Sequence, residues 1–149
     1  MNTENSIVMK APLDLVFETA ANLSLWPEIL PHYRSITYLE KSPSRNVVRM
    51  AAKRSWIPVS WTSEQVIDRD RREVRFHHLK AFTRGMRVVW TFQPQGDSVL
   101  VRIRHDMKPN SPLVGGFVAD KIIGSFFVHH VASRTLHHMK LYVESRHGK

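Results

Sequence analysis

At 149 residues the chain has the size of one domain, and a chain of that length buries roughly 68–70% of its unfolded surface without needing staples. It has no cysteine, which excludes disulfides and thiolate chemistry, and its apolar runs fall far short of a membrane span. With 22 Lys and Arg against 13 Asp and Glu, the net charge of +9 favours acidic partners: nucleic acid, an anionic membrane or an acidic protein. The basic residues are scattered, and no repeat, low-complexity tract or linker divides the chain, so residues 1–149 read as a single domain. The opening MNTENSIVMK lacks the basic and apolar regions of a signal peptide. A soluble cytoplasmic protein is the expectation.

In chain order, Ser6 to Lys10 reads as a short strand stopped by Pro12. Leu13 to Ala21 has helical spacing, with Leu13, Val16, Phe17 and Ala20 on one face. A second short helix fits Leu25 to Leu30, with Pro27 at a tolerated early position and Pro31 ending it. The period then changes to two. His32–Leu39, Val47–Arg54, Val59–Ile67, Glu73–Leu79, Met86–Phe92 and Val99–Met107 read as strands, separated by short turn-like segments that make antiparallel hairpins. Ser111-Pro112 supplies a cap for a last helix, and Gly115-Gly116 reads as a hinge. Beyond it, Val118, Ile122, Ser125, His129, Ala132, Leu136, Met139 and Val143 form one stripe that must face the sheet. Ile123, Phe127 and Val131 fall opposite that stripe, a row that marks a partner, dimer or membrane contact, or one covered by a neighbouring loop.

Alternation sorts the strand side chains. Val74, Phe76 and His78 share a face, as do Met86, Val88, Trp90 and Phe92, and Val99, Val101, Ile103 and His105. Arg75, His77, Arg87, Arg102 and Arg104 fall on the other. One face is apolar and one cationic, as in a sheet covered on one side. A sheet curled around a helix leaves an internal space, expected to be on the order of several hundred Å³.

The element order, with Asn5-Ser6-Ile7-Val8, Ala11-Pro12, Leu15-Val16, Trp26-Pro27-Glu28-Ile29-Leu30 and Tyr33, resembles the polyketide cyclase/aromatase branch of the START-like (Bet v 1-like, SRPBCC) superfamily. Trp61 with Ser63, Trp90-Thr91-Phe92, Asp106-Met107-Lys108-Pro109 and Leu136-x-x-Met139-Lys140-x-x-Val143-Glu144 extend the resemblance over nearly the whole chain. Coenzyme Q-binding proteins are a neighbouring branch. The resemblance implies an α+β helix-grip fold: a curved seven-stranded antiparallel sheet around a long C-terminal helix, with two short helices after the first strand. It also implies a cavity for a polyketide, lipid or quinone, and no cofactor. The cyclases of this group fold a carrier-tethered poly-β-ketone so that one α-carbon attacks another carbonyl and water is lost.

Trp26 and Tyr33 match the pocket-lining pair of that group, offering flat apolar area and a hydroxyl for a ligand carbonyl. Trp61, Ser63 and Gln65 alternate onto one strand face, where the cyclases orient substrate; Gln65 stands where they place an arginine, and it can donate a hydrogen bond but brings no charge. Arg54 could substitute if it points inward. Phe76, His78, Met86, Trp90 and His105 complete the expected ligand-binding set. His129, on the helix stripe, is the expected proton mover, with Tyr33, Ser63 and Gln65 as donors. The pairs His77-His78, His129-His130 and His137-His138 do not make a metal site, because adjacent residues point apart and no HExxH or Cys ligand exists. P-loop and nucleophile-elbow motifs are also absent.

Two functions are therefore expected to compete. One is a cyclase acting on a chain held by an acidic acyl carrier protein, which would suit a basic domain. The other is a lipid or quinone carrier working at an anionic membrane. Nucleic-acid binding rests on charge alone and ranks last.

Overall fold

The computed structural model describes residues 2–54, 57–80, 84–107 and 125–147. The elements run β1 (Asn2–Met9), α1 (Leu13–Ala21), a 3₁₀ turn (Leu23–Leu25), α2 (Trp26–Ile29), β2 (Tyr33–Glu40), β3 (Arg45–Arg54), β4 (Ile57–Asp68), β5 (Glu73–Lys80), β6 (Arg87–Gln95), β7 (Ser98–Asp106) and α3 (Ser125–His147). The seven strands form one antiparallel sheet in the order β1-β7-β6-β5-β4-β3-β2. Sequence neighbours pair from β2 to β7, and among the described residues only the β1–β7 ladder joins distant parts of the chain.

Strand alternation decides the layers. Val74 and Phe76 of β5, Val88, Trp90 and Phe92 of β6, and Val99, Val101 and Ile103 of β7 are buried, whereas Arg75, Arg87, Arg102 and Arg104 are exposed. The cationic face is the solvated one. β1 is longer than its apolar residues suggest, because its ladder with β7 runs from Asn2↔Asp106 to Met9↔Val99. The β6–β7 loop has two residues between Gln95 and Ser98, and Gly96 at φ 63° fills the first, where a II′ hairpin turn needs a positive φ. The β4–β5 loop is closed by Asp68, whose carboxylate accepts the Arg71 N–H at 3.0 Å.

Short α1 buries Val16, Phe17 and Ala20 against the sheet, with Phe17 edge-on to Phe92 at 5.2 Å. In α3 the buried residues are Val128, Val131, Ala132, Thr135, Leu136, Met139 and Val143. That stripe overlaps the expected one at Ala132, Leu136, Met139 and Val143 but leaves out His129, which is exposed. A repeat of 3.5 residues drifts by about 20° per heptad on a straight helix. Two heptads back from Val143, position 129 has rotated off the buried face. Val131, expected on the outer side, is buried for the same reason. Ser111-Pro112, Gly115-Gly116, Val118, Ile122 and Ile123, and the side chains of Ser125 and Phe127, lie outside the described residues.

α3 also runs along the sheet's edge strand. Lys140 Nζ donates to the Val8 carbonyl at 2.9 Å and pairs with Glu144 at 2.8 Å, and Glu144 accepts the Lys10 N–H at 2.9 Å. Among the described residues, no helix is long and apolar enough to cross a membrane.

Candidate functional site

Between the sheet and α3 lies a cavity lined by Trp26, Tyr33, Met50, Trp61, Phe76, His78, Met86, Val88, Trp90, Ile103, His105, Val128, Val131, Ala132 and Thr135. Six strands, β2 to β7, the short α2 and the first half of α3 contribute. Its aromatic wall is built around Trp26, whose ring centroid lies 5.2 Å from Tyr33, 6.0 Å from Phe76 and 5.6 Å from Trp90. Trp61 stacks on His78 at 5.7 Å with only 10° between the planes. The room for water-sized molecules to centre themselves is about 50 Å³, the space of a few waters. This is well below the several hundred Å³ expected, because the indole and phenyl rings close over one another instead of standing apart.

The polar groups facing this space are neutral. Burial, then the nearby His105 and His77, lowers the His78 pKa to about 3. Burial alone lowers His105 to about 4. Both imidazoles are thus unprotonated near neutral pH, as a proton acceptor must be. The Nδ1 of His105 is buried without a hydrogen-bond partner, and so is the Nε1–H of Trp26. Burial pushes the Tyr33 phenol far above its ordinary value and keeps it a donor. Among the described residues lining the cavity there is no carboxylate, arginine or lysine, and no cluster of His, Asp or Glu could hold a metal ion.

Of the residues expected from sequence, the fold brings Trp26, Tyr33, Trp61, Phe76, His78, Met86, Trp90 and His105 around the cavity. The other expected residues are placed differently. Gln65 is fully buried, but both ends of its amide are engaged: Oε1 accepts Asn46 Nδ2 at 2.8 Å, and Nε2 donates to the carbonyl of Ala21 at 3.0 Å. It ties the last residue of α1 to the sheet and satisfies a helix-end carbonyl. Gln65 is a structural clamp here and is not among the residues lining the cavity. Ser63, also fully buried, donates to the His77 carbonyl at 3.3 Å and is not among the cavity residues. The exposed His129 accepts a hydrogen bond from Asn5 Nδ2 at 3.1 Å, toward β1 and away from the cavity. Its expected place on the inward stripe fails through the helical drift described above. The side chain of Arg54 lies outside the described residues.

The expected ligand-binding set left out Val88, Ile103 and Ala132, although the strand faces and the helix stripe had placed them inward, and it missed Met50, Val128, Val131 and Thr135, and His32 just behind the lining. Val88 and Ile103 share the alternation that singled out Trp90 and His105, and that signal was available. Thr135 had none. His32 is 3% exposed, and its Nε2 lies 2.9 Å from Thr135 Oγ1.

A helix gripped by a curved sheet over an aromatic-walled cavity defines the class of small helix-grip proteins. Within it, residues 9–125 match the family described as polyketide cyclase / dehydrase and lipid transport, and the chain belongs to that family. A Streptomyces halstedii protein assigned as a polyketide cyclase is 34% identical over 107 residues, 68% of this chain and 95% of that one. A Streptomyces cyaneus protein with the same assignment is 29% identical over 129 residues, 81% of this chain and 83% of its own. The crystal structure of the Zhui aromatase/cyclase from Streptomyces sp. R1128 superposes with a TM-score of 0.89 at 20% identity, covering 98% of this chain and 94% of that one. At that identity the likeness is one of fold.

Proposed function

We propose that this protein is a cyclase/aromatase that binds a neutral polyketone in its cavity and promotes aldol cyclisation and dehydration. The observation that carries this reading is the pairing of donors and neutral bases inside one aromatic-walled cavity. Tyr33 O–H and Trp26 Nε1–H are donors for a ketone oxygen, and the Nδ1 of His105, buried with no hydrogen-bond partner in the protein, is the group placed to accept a proton from the ligand. Membership of a family that includes polyketide cyclases supports it.

The chemistry follows from those groups. His105 takes a proton from a carbon flanked by two carbonyls, and the enolate oxygen is held by the neutral donors. The enolate carbon attacks a second carbonyl of the folded chain, forming the C–C bond and an alkoxide that takes the proton back from the His105 imidazolium to give the β-hydroxyl. His105, neutral again, takes a second α-proton, and the C–O bond breaks as the imidazolium returns that proton to the departing hydroxyl, which leaves as water. No electrons are exchanged, and no cofactor is required by the balance. A polyketone is larger than the present cavity, so Trp26, Phe76 or Trp90 must rotate to admit it, and tryptophan fluorescence should report binding.

The test is the product distribution of a reconstituted minimal polyketide synthase with and without the protein. Added protein should redirect the products toward one regular ring pattern, and His105→Gln should lower turnover by roughly 10²–10⁴-fold, the range for a lost general acid-base. A product profile identical to the protein-free control removes the cyclase reading. It would leave a carrier of neutral lipid or quinone, which the uncharged lining favours.

A further inference from the structure

Behind the cavity wall sits a polar chain that the reaction above does not use directly. His32 precedes β2 and is buried, its ring 4.9 Å from that of Tyr33. Its Nε2 meets Thr135 Oγ1 at 2.9 Å, a contact that joins residues 103 apart in sequence. The Thr135 side chain also acts on the Tyr33 phenol in the direction that favours the ionised phenol, as a donor to the phenol oxygen does. Thr135 and Tyr33 both line the cavity, whereas His32 does not.

The direction of the chain can be assigned. His32 Nδ1 is buried with no hydrogen-bond partner. The carbonyl of Val131, one helical turn before Thr135, favours a protonated ring. A bare lone pair is the less costly group to leave unpaired, so the proton sits on Nε2. His32 Nε2–H then donates to Thr135 Oγ1, Thr135 O–H donates to Tyr33 Oη, and the Tyr33 O–H is left for the cavity. All three donors point the same way, and such chains polarise cooperatively. The ring is kept singly protonated by burial and by the cationic side of α3, where Arg134, His138 and His130 each oppose a further charge.

We propose that His32 is a positioning residue for the cavity: through Thr135 it orients and strengthens the Tyr33 hydroxyl as the donor to a ligand ketone oxygen. The proposal deepens the cyclase reading and rests on it for the nature of the ligand. His32 touches no substrate, and its effect must pass through Tyr33.

Three variants and two readouts test this. The first readout needs no ligand. Long-range proton–nitrogen correlation spectra at about pH 7 should show His32 protonated at Nε2 and bare at Nδ1, and His32→Leu should shift the Cζ resonance of Tyr33 in carbon-labelled protein. The opposite tautomer, or an unmoved Tyr33 resonance, overturns the relay. The second readout is affinity for 1,8-dihydroxyanthraquinone, an aromatic ketone, followed by tryptophan quenching. His32→Leu should weaken it by about 5–10-fold, the scale of one lost hydrogen bond. His32→Gln, which keeps a donor near the Nε2 position, should stay within about twofold of the parent. In a Tyr33→Phe background, His32→Leu should cost less than about twofold, because the path is already cut. An equal loss in both backgrounds means that His32 only packs, and the proposal fails. If the parent neither binds this ketone nor alters polyketide products, the cyclase reading falls by itself, and the spectra still judge the relay.

Discussion

Acidification should unfold this protein far above the pH at which carboxylates titrate. The buried His32 and His78 and the half-buried His105 have pKa values lowered from 6.5 to about 4, 3 and 4. In each, burial is the largest cause, because the imidazolium loses its water. The unfolded chain takes up protons as pH falls through 6.5, while the folded chain refuses them until about 4 or below. Stability is therefore complete above about pH 6.5 and drains away as the pH falls toward 4. For a single histidine held this low, the deficit at pH 5 is about 2 kcal/mol. Three such groups reach the scale of a domain's whole net stability, about 5–15 kcal/mol. Urea unfolding followed by circular dichroism at pH 8, 7, 6 and 5 measures this. The midpoint should fall steeply below pH 6.5, and His78→Phe should remove part of the slope. Glu144, whose pKa is lowered by the Lys140 ammonium and the Lys10 N–H, contributes only to losses below about 4.5, outside this window. A midpoint unchanged between pH 7 and pH 5 would falsify the claim that these rings are neutral and dry.

Three further outcomes are expected. Gln65→Leu leaves Asn46 Nδ2 and the Ala21 carbonyl without their buried partner and should cost about 2–4 kcal/mol in urea titrations; a loss under about 0.5 kcal/mol would show that the clamp is dispensable. His129→Ala should leave product distribution and ketone affinity within about twofold of the parent, since the residue is exposed and faces Asn5; a large loss of turnover would return it to the site. Reversing Arg87 and Arg102 to Glu should slow association with an acidic acyl carrier protein and flatten its salt dependence, read by stopped-flow fluorescence; unchanged rates at low salt would remove the cationic sheet face as a docking surface.

How much of this was legible in the sequence depended on how local each signal is. The parity of β5, β6 and β7 follows from alternation within each strand, so Trp90 could be placed inside and Arg102 outside before any contact was known. The α3 stripe was legible near Leu136 and Met139 and misleading at His129, because a small angular error per turn accumulates over two heptads. Gln65 was misjudged for a different reason. Its inward direction is a property of β4, but its partner Ala21 lies 44 residues away, and no local pattern announces that contact. His32 was misjudged on both counts. Alternation makes it the first residue of a strand, but it stands just before β2, and Thr135 is brought to it only when α3 closes over the sheet.

The pairing of Lys140 and Glu144 with the backbone of β1 bears on assembly. β1 and β2 are the two margins of an open sheet, and an unpaired margin invites a strand from another molecule. At the β1 margin, the Val8 carbonyl and the Lys10 amide are already occupied by side chains of α3. A second chain seeking to extend the sheet there would have to displace a salt bridge before making its first backbone bond. Intermolecular strand addition, whether in aggregation or in a regular oligomer, is thereby directed to β2, where the exposed Arg34, Thr37 and Glu40 set the charge that an incoming strand must match.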